Sequence, residues 1–589
     1  MSAPRTAPFA PLFLVSLGTI GYEISVTRYF AIASWSEYGY WVISIAMVGF
    51  AVSGVILSLF SEFFLRRWQP FLLSIPPLLI GLSALGFYLM TINPFNPLEF
   101  QNPEAWLDQL LNIGKYYGAL FPAFFLAGLY VGLCFLAFQE QIPKVYAVDL
   151  AGAAAGAVLA LALMFWLQPF YLLAALLPCY ALAGIIYLPG FDGRQRLAVF
   201  VGVVLLFVVS EASIVWFNHA DFNQYKRIYP ALHVEGNKIV RAIYSPRGYY
   251  MVLDNFTERL DTDFSNNLGL LGLPDPPSTL GLYKDGNRVT SLPKSAGNDI
   301  SYVHAALDAF SYQLLTAPRV LLIGSRGGFR LREALALGAS SVLALEPSPV
   351  VFGLVRQALR RTDDALLRDP RVQLSSRIPT AVMRLGGEKF DLIDIASDYL
   401  PQADTHKFAF TVEAVQGYYN MLSAHGMVSI PVSMRELTIY AVKMLETARR
   451  ALSELGVPAP ERHLIVYRSA WNARILIARQ PFSAAQIAQL RQFCDRLSFD
   501  TSYYPGITPA EVTIYNDLPA LSFEHDNVLS PATQASDALM QDALKLLSKQ
   551  RGRFLRQQFF DLAPSTYDRP SFYSVLRLTK LDQILAKIA

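Results

Sequence analysis

The sequence predicts two folds in one chain: a membrane all-α bundle of about seven helices over residues 1–217, then an α/β Rossmann-like sheet domain preceded by a small β-sheet. Three observations carry this. The chain has 589 residues, 53% hydrophobic and only 16% charged, with a mean hydropathy of +0.33, which a water-soluble globular chain rarely reaches. Residues 1–217 hold 18 charged side chains, whereas the remaining 372 hold 77. From Arg319 onward, short apolar strands alternate with helix-length segments, the pattern of a doubly wound sheet.

In the first part, seven apolar stretches of about 20 residues or more are marked at 9–33, 40–61, 70–92, 116–138, 145–167, 170–188 and 197–217. The first is long and is followed at once by another, unlike a cleaved signal peptide. In the loop 93–115, the Trp106-Leu107…Leu110-Leu111 spacing suits an amphipathic turn at the interface. Glu23, Arg28, Asp149 and Glu211 lie inside spans and need a reason. A polar path through the bundle is one; a Glu23–Arg28 pair with interhelical polar contacts is the other. Gly152 and Gly156 form a small-xxx-small face for close helix approach.

With seven spans and a cytoplasmic C-terminal domain, Arg5, Arg66, Arg67, Lys144, Arg194 and Arg196 fall outside, while Arg28, Lys115, Lys226 and Arg227 fall inside. The positive-inside rule therefore favours an external soluble domain. The soluble part holds 41 Lys/Arg against 36 Asp/Glu, a balance that gives no reason to expect nucleic acid. Cys134, Cys179 and Cys494 show no ligand spacing, so neither a disulfide framework nor a metal site is expected.

Residues 218–300 read as β-rich: strands at Lys238–Ser245 and Tyr249–Asp254, and a hairpin over Thr279–Val289 turning on Asp285-Gly286. In 301–480, strands are expected at Arg319–Gly324, Ser341–Glu346, Arg371–Ser375, Phe390–Ala396 and Met427–Val432. Leu464–Ser469 and Ala473–Arg479 then follow each other with no helix between, as an antiparallel hairpin closing a seven-stranded sheet of the kind used with S-adenosylmethionine. The first strand runs into Gly324-Ser-Arg-Gly327-Gly328, a turn suited to presenting amides to a ligand. Glu346, 22 residues beyond Gly324, ends the second strand, where an acidic side chain accepts ribose hydroxyls. Residues 481–589 read as a helical extension with helices at Ser483–Leu497, Gln534–Lys549 and Leu576–Ile588, and an Asp568-Arg569-Pro570 turn bracing the tail.

Residues 319–432 resemble the spermidine synthase (polyamine aminopropyltransferase) family, through Val320-Leu-Leu-Ile-Gly324, Leu331-Arg-Glu333, Glu346, Asp369-Pro-Arg-Val372 and Phe390-Asp-Leu-Ile393. Gly21-Tyr22-Glu23…Thr27-Arg28 and Tyr146…Asp149-Leu-Ala-Gly152 resemble membrane segments of bacterial proteins in which such a domain is fused to a multi-span bundle. Phe410-Thr-Val-Glu-Ala414 and Pro564-Ser-Thr-Tyr-Asp568 are similar to the C-terminal pattern of that group. The resemblance implies a multi-pass protein of the bacterial inner membrane. It also implies S-adenosylmethionine or its decarboxylated form as cofactor, held by Gly324, Gly327, Gly328 and Glu346, with Arg326 clasping the methionine carboxylate. Asp398 is then the base or amine-binding carboxylate, with Asp394 and His304 in support.

The departures point elsewhere. Where the family places acceptor carboxylates, this chain has Gly327, Ala396 and Tyr399, and Ser376 or Arg377 stands at its adenine-contacting acidic position. Amine transfer needs a carboxylate to bind and deprotonate the ammonium. Two functions follow: a membrane-anchored transferase of aminopropyl or methyl groups, or a catalytically degenerate module acting as a binding or assembly subunit. The expected partners are the lipid bilayer and another membrane protein or a second copy of the chain. The cofactor favours a cytoplasmic domain, against the loop charges. Transport by the bundle is disfavoured, since the spans show no internal repeat.

Overall fold

The computed structural model describes residues 7–34, 38–96, 99, 103–217, 221–260, 262–295, 299–396, 407–435, 437–518, 536–575 and 577–580. Six helices among them are long and apolar enough to cross a membrane. These are α1 (Phe9–Ala33), α2 (Gly39–Leu59), α3 (Ser61–Thr91), α4 (Trp106–Ala137), α5 (Ile142–Leu163) and α7 (Gly193–Trp216). The stretch 170–188 differs from the single span expected. It forms two 3₁₀ turns and then the ten-residue α6 (Leu177–Ile186), with Pro169 opening the first turn and Pro178 in the first turn of α6. Trp106, Leu107, Leu110 and Leu111 are exposed on the first turns of α4, continuous with its span.

α1 is the central helix and α5 and α7 are the most peripheral. A Cβ on Gly152 or Gly156 of α5 would overlap the carbonyl oxygens of Phe13 and Leu17, so α5 lies backbone to backbone on α1. α3 kinks at Arg67 because Pro70 cannot donate to the Arg66 carbonyl. Asp149 accepts from Ser16 Oγ at 2.6 Å, tying α5 to α1.

The small sheet is antiparallel in the order β1 (Lys238–Ile243), β2 (Tyr250–Asp254), β3 (Thr279–Lys284), β4 (Asn287–Pro293). Its β3–β4 turn is the two-residue Asp285-Gly286 pair, both at positive φ (50° and 76°), as an Asp-Gly hairpin of this length requires. Both faces of its inner strands are covered, while β1 is exposed. Tyr249, Met251, Leu253 and Tyr283 join the apolar core of the bundle, while Tyr250, Val252, Leu282 and Leu292 join the core of the α/β domain. The joint to the membrane is polar. Arg28 of α1 donates to Asp285 through Nη2 at 2.8 Å and Nη1 at 3.2 Å. Lys226 Nζ donates to the carbonyls of Asp285 (3.0 Å) and Ala31 (3.3 Å), and Asn223 N donates to Ala33 O at the end of α1. Arg28 thus serves the domain junction rather than a pair with Glu23.

The large sheet holds eight strands: β5 (Arg319–Ile323), β6 (Ser341–Leu345), β7 (Val372–Ser375), β8 (Phe390–Ile395), β9 (Leu422–Ser433), β10 (Leu464–Arg468), β11 (Asn472–Ala478) and β12 (Asp500–Tyr503). Their order is β12-β10-β11-β9-β8-β5-β6-β7. β5 to β9 are parallel to their mutual neighbours, and β10, β11 and β12 add antiparallel edges. The eighth strand, beyond the seven expected, comes from the C-terminal extension. Asp500 on it accepts from the backbone of Tyr515 and Asn516 and pairs with Arg468, fixing a polar strand that carries no alternating signal. Ser483 and Gln486 close a reciprocal cap on the helix Ala484–Leu497. The Asp568–Pro570 turn holds the tail to the domain, with Lys407 N donating to Pro570 O at 2.8 Å and Tyr567 N to Glu413. The expected helix at 576–588 lies mostly outside the described residues.

Candidate functional site

β5 delivers the chain to the glycine loop at the carboxyl edge of the sheet, where ligands of such folds bind. The loop turns through left-handed positions: Gly324 at φ 87°, Arg326 at 48°, Gly327 at 63° and Gly328 at 99°. Gly324 N donates to Leu345 O at 3.0 Å, and Ser325 Oγ donates to Glu346 Oε2 at 3.1 Å. Glu346 is therefore where the sequence places it, at the end of β6, but it is buried and engaged by the loop.

The other two glycines are used by the protein itself. A Cβ on Gly327 would overlap the carbonyl oxygen of Ser291 on β4, and one on Gly328 would press on the Leu359 side chain. The small sheet thus lies directly on the loop. Tyr250 of β2 reaches Ser348, two residues past Glu346, at 3.5 Å.

The Arg326 side chain points into the protein. It is fully buried, turned beneath the loop, and paired with Asp308 and with Glu333 (2.9 Å). It belongs to a cluster of three carboxylates and three guanidinia, all at most 3% exposed. Arg330 meets Asp308 (3.1 Å), Glu333 (3.4 Å) and Asp394 (2.8 Å), and lies over the ring of Tyr312. Arg474 of β11 meets Asp394 at 2.9 Å and donates to Ser429 Oγ and Ile395 O. Tyr312 donates to Asp394 at 3.0 Å, and Tyr302 to Glu333 at 3.2 Å. Burial alone would raise the Asp308 carboxyl. The guanidinia of Arg330, Arg326 and Arg474 outweigh burial and hold it well below the usual carboxylate range. Arg326 and Arg330 are likewise held charged, the carboxylates outweighing desolvation. The set holds three carboxylates and three guanidinia, each paired within the cluster.

Asp394, expected as catalytic support, is thus a structural member of this cluster: its two oxygens are taken by Arg330, Arg474 and Tyr312. His304 is exposed on the 3₁₀ segment Ser301–Ala305, outside the cluster. Asp398 and Tyr399 lie outside the described residues. Arg330, Arg474 and Asp308 were not singled out from the sequence. Asp308 and Arg474 each stand as a lone charge in a largely apolar segment, and that was the available signal; Arg330, among Arg326, Arg332 and Glu333, carried none.

No family model and no curated protein matches the chain. Among solved structures it is similar to spermidine synthase in complex with the transition state analogue AdoDATO, with 19% identity over 47% of this chain and 84% of that one, at a TM-score of 0.31. It is similar to spermidine synthase from Thermotoga maritima, with 20% identity, the same coverage and a TM-score of 0.31. A probable spermidine synthase from Corynebacterium glutamicum gives 12% identity over 44% of this chain and 87% of that one, at 0.32.

Proposed function

We propose that this chain is a membrane-embedded spermidine synthase-like module whose transferase centre is closed, and that it serves as a binding or assembly subunit of a membrane complex. The observation that carries this is the neutral buried cluster. The glycine loop's own Arg326 is turned inward into it, and β4 lies against Gly327. Asp394, one of the carboxylates expected on the acceptor side, is consumed by arginines, and Gly327 and Gly328 of the loop are packed by protein.

The loop charges support the same reading. α1 ends beside Asn223, just past α7, with Asn223 N donating to Ala33 O; α2 therefore runs away from the soluble half, α7 runs toward it, and the short α2–α3 and α4–α5 connections lie at the far end. Arg66, Arg67, Lys144, Arg194 and Arg196 then gather at the far end of the bundle, whereas the connection between α3 and α4 carries Glu99 and Glu104. By the positive-inside rule the far end is cytoplasmic and the α/β domain external, away from S-adenosylmethionine.

The test is calorimetric titration of the detergent-purified full chain with S-adenosylmethionine and methylthioadenosine. No binding is expected at millimolar ligand. Saturable binding that disappears in Glu346→Ala would overturn the proposal in favour of a transferase.

A further inference from the structure

At the opposite, amino-terminal edge of the large sheet lies a cleft of about 470 Å³, between the end of the helix Val412–Met421, the turn after the helix Ile439–Glu454 and the β10–β11 hairpin. Its size is that of a small-molecule site. We propose that it binds a small anion carrying phosphate or carboxylate groups, independently of the glycine loop.

Among the described residues the lining carries two guanidinia, of Arg462 and Arg479, and no carboxylate. Arg479 stacks on the ring of Tyr419 at 4.5 Å and donates through Nη1 to Tyr419 O at 3.0 Å, which fixes the guanidinium and leaves its other nitrogens for a ligand. His463 is 4% exposed, and its Nδ1 donates to Ala478 O at 3.0 Å, which holds the ring to β11. Gln480 Nε2 donates to Ala424 O at 3.3 Å. Arg462 is exposed in the cleft, and its own carbonyl accepts from Phe482 N. The carbonyls of Tyr419 and Arg462 are already paired. Two guanidinia, one held in plane by stacking and a backbone bond, match the planar bidentate geometry of carboxylate and phosphate oxygens. A cation would find no counter-charge here, and an apolar ligand would strip water from the arginines without replacing it.

The full chain in detergent is titrated with inorganic phosphate and, separately, with citrate, each by calorimetry against chloride at matched ionic strength. Saturable binding of at least one anion is expected, and which one binds distinguishes phosphate from carboxylate recognition. Arg462→Gln should weaken it about tenfold or more, and Arg479→Lys, which keeps the charge and loses the fork, should weaken it too. Arg462→Gln should keep the thermal midpoint of the parent without anion, since among the described residues its side chain makes no ion pair. Glu346→Ala should leave the binding unchanged. An absence of saturable binding by both anions, or equal binding by the parent and Arg462→Gln, would overturn the proposal.

Discussion

Gly327 owes its identity to two constraints that coincide: a positive φ and a strand carbonyl where a Cβ would stand. Gly327→Ala should therefore lower stability by about 3 kcal/mol, read by thermal unfolding in detergent, with no ligand involved. Arg330 touches all three carboxylates of the buried cluster. Arg330→Met leaves those charges uncompensated and should cost about 3–5 kcal/mol. Lys443, on the helix Ile439–Glu454, is also buried, with Nζ on Ser574 O at 2.9 Å. Burial lowers its ammonium to about 8, against an opposing pull from Asp561. Between pH 8 and the unfolded value near 10.4 the unfolded chain holds more protons, so this residue's penalty is complete below pH 8 and fades as pH rises. Lys443→Met should therefore stabilise the protein at pH 7 by about 2 kcal/mol, after the loss of the Ser574 bond, and the gain should shrink by pH 10. Glycines and the strand-ending Glu346 were legible because each carries a positional meaning. The partners of Arg326 were not, because Asp308 and Glu333 lie 18 and 7 residues away in sequence and only folding sets them around one guanidinium.

Among the elements, those with a local cause were the most legible. The Asp285-Gly286 hairpin, the β10–β11 hairpin and the Ser483 cap each arise from residues adjacent in sequence. The stretch 170–188 was not, because its apolar composition hides the fresh helical starts set by Pro169, just before it, and by Pro178 within it. β12 was missed because its polar strand is held by side-chain caps rather than by alternation. The small-residue face on α5 has a direct test. Gly156→Leu would drive the side chain into the α1 backbone at Leu17, and should separate the two helices and reduce the yield of folded protein in detergent. The Arg28–Asp285 joint has another. Asp285→Ala should raise protease cleavage between α7 and β1, and the charge swap Arg28→Asp with Asp285→Arg should restore part of the protection.

Across the whole molecule, the small sheet is the layer through which bundle and α/β domain meet. One face completes the membrane core, the other packs on the sheet domain, and β4 rests on the glycine loop. A membrane-facing disturbance of α1 therefore has a short mechanical route to Gly327, through Asp285 and β4. A reporter fused after Ala589 should register outside the cytoplasm if the basic connections at 60–68, 138–144 and 187–196 face inward; a cytoplasmic signal would reverse that orientation. The sequence by itself determined the division into an apolar and a polar half, the strand–helix alternation and the glycine loop, because composition and periodicity are local properties of the chain. Only the tertiary structure decided what the loop does. Whether the loop's Arg326 meets a ligand or the carboxylates of Asp308 and Glu333 depends on a cluster drawn from five separate segments, and no local pattern in the chain records how close they come.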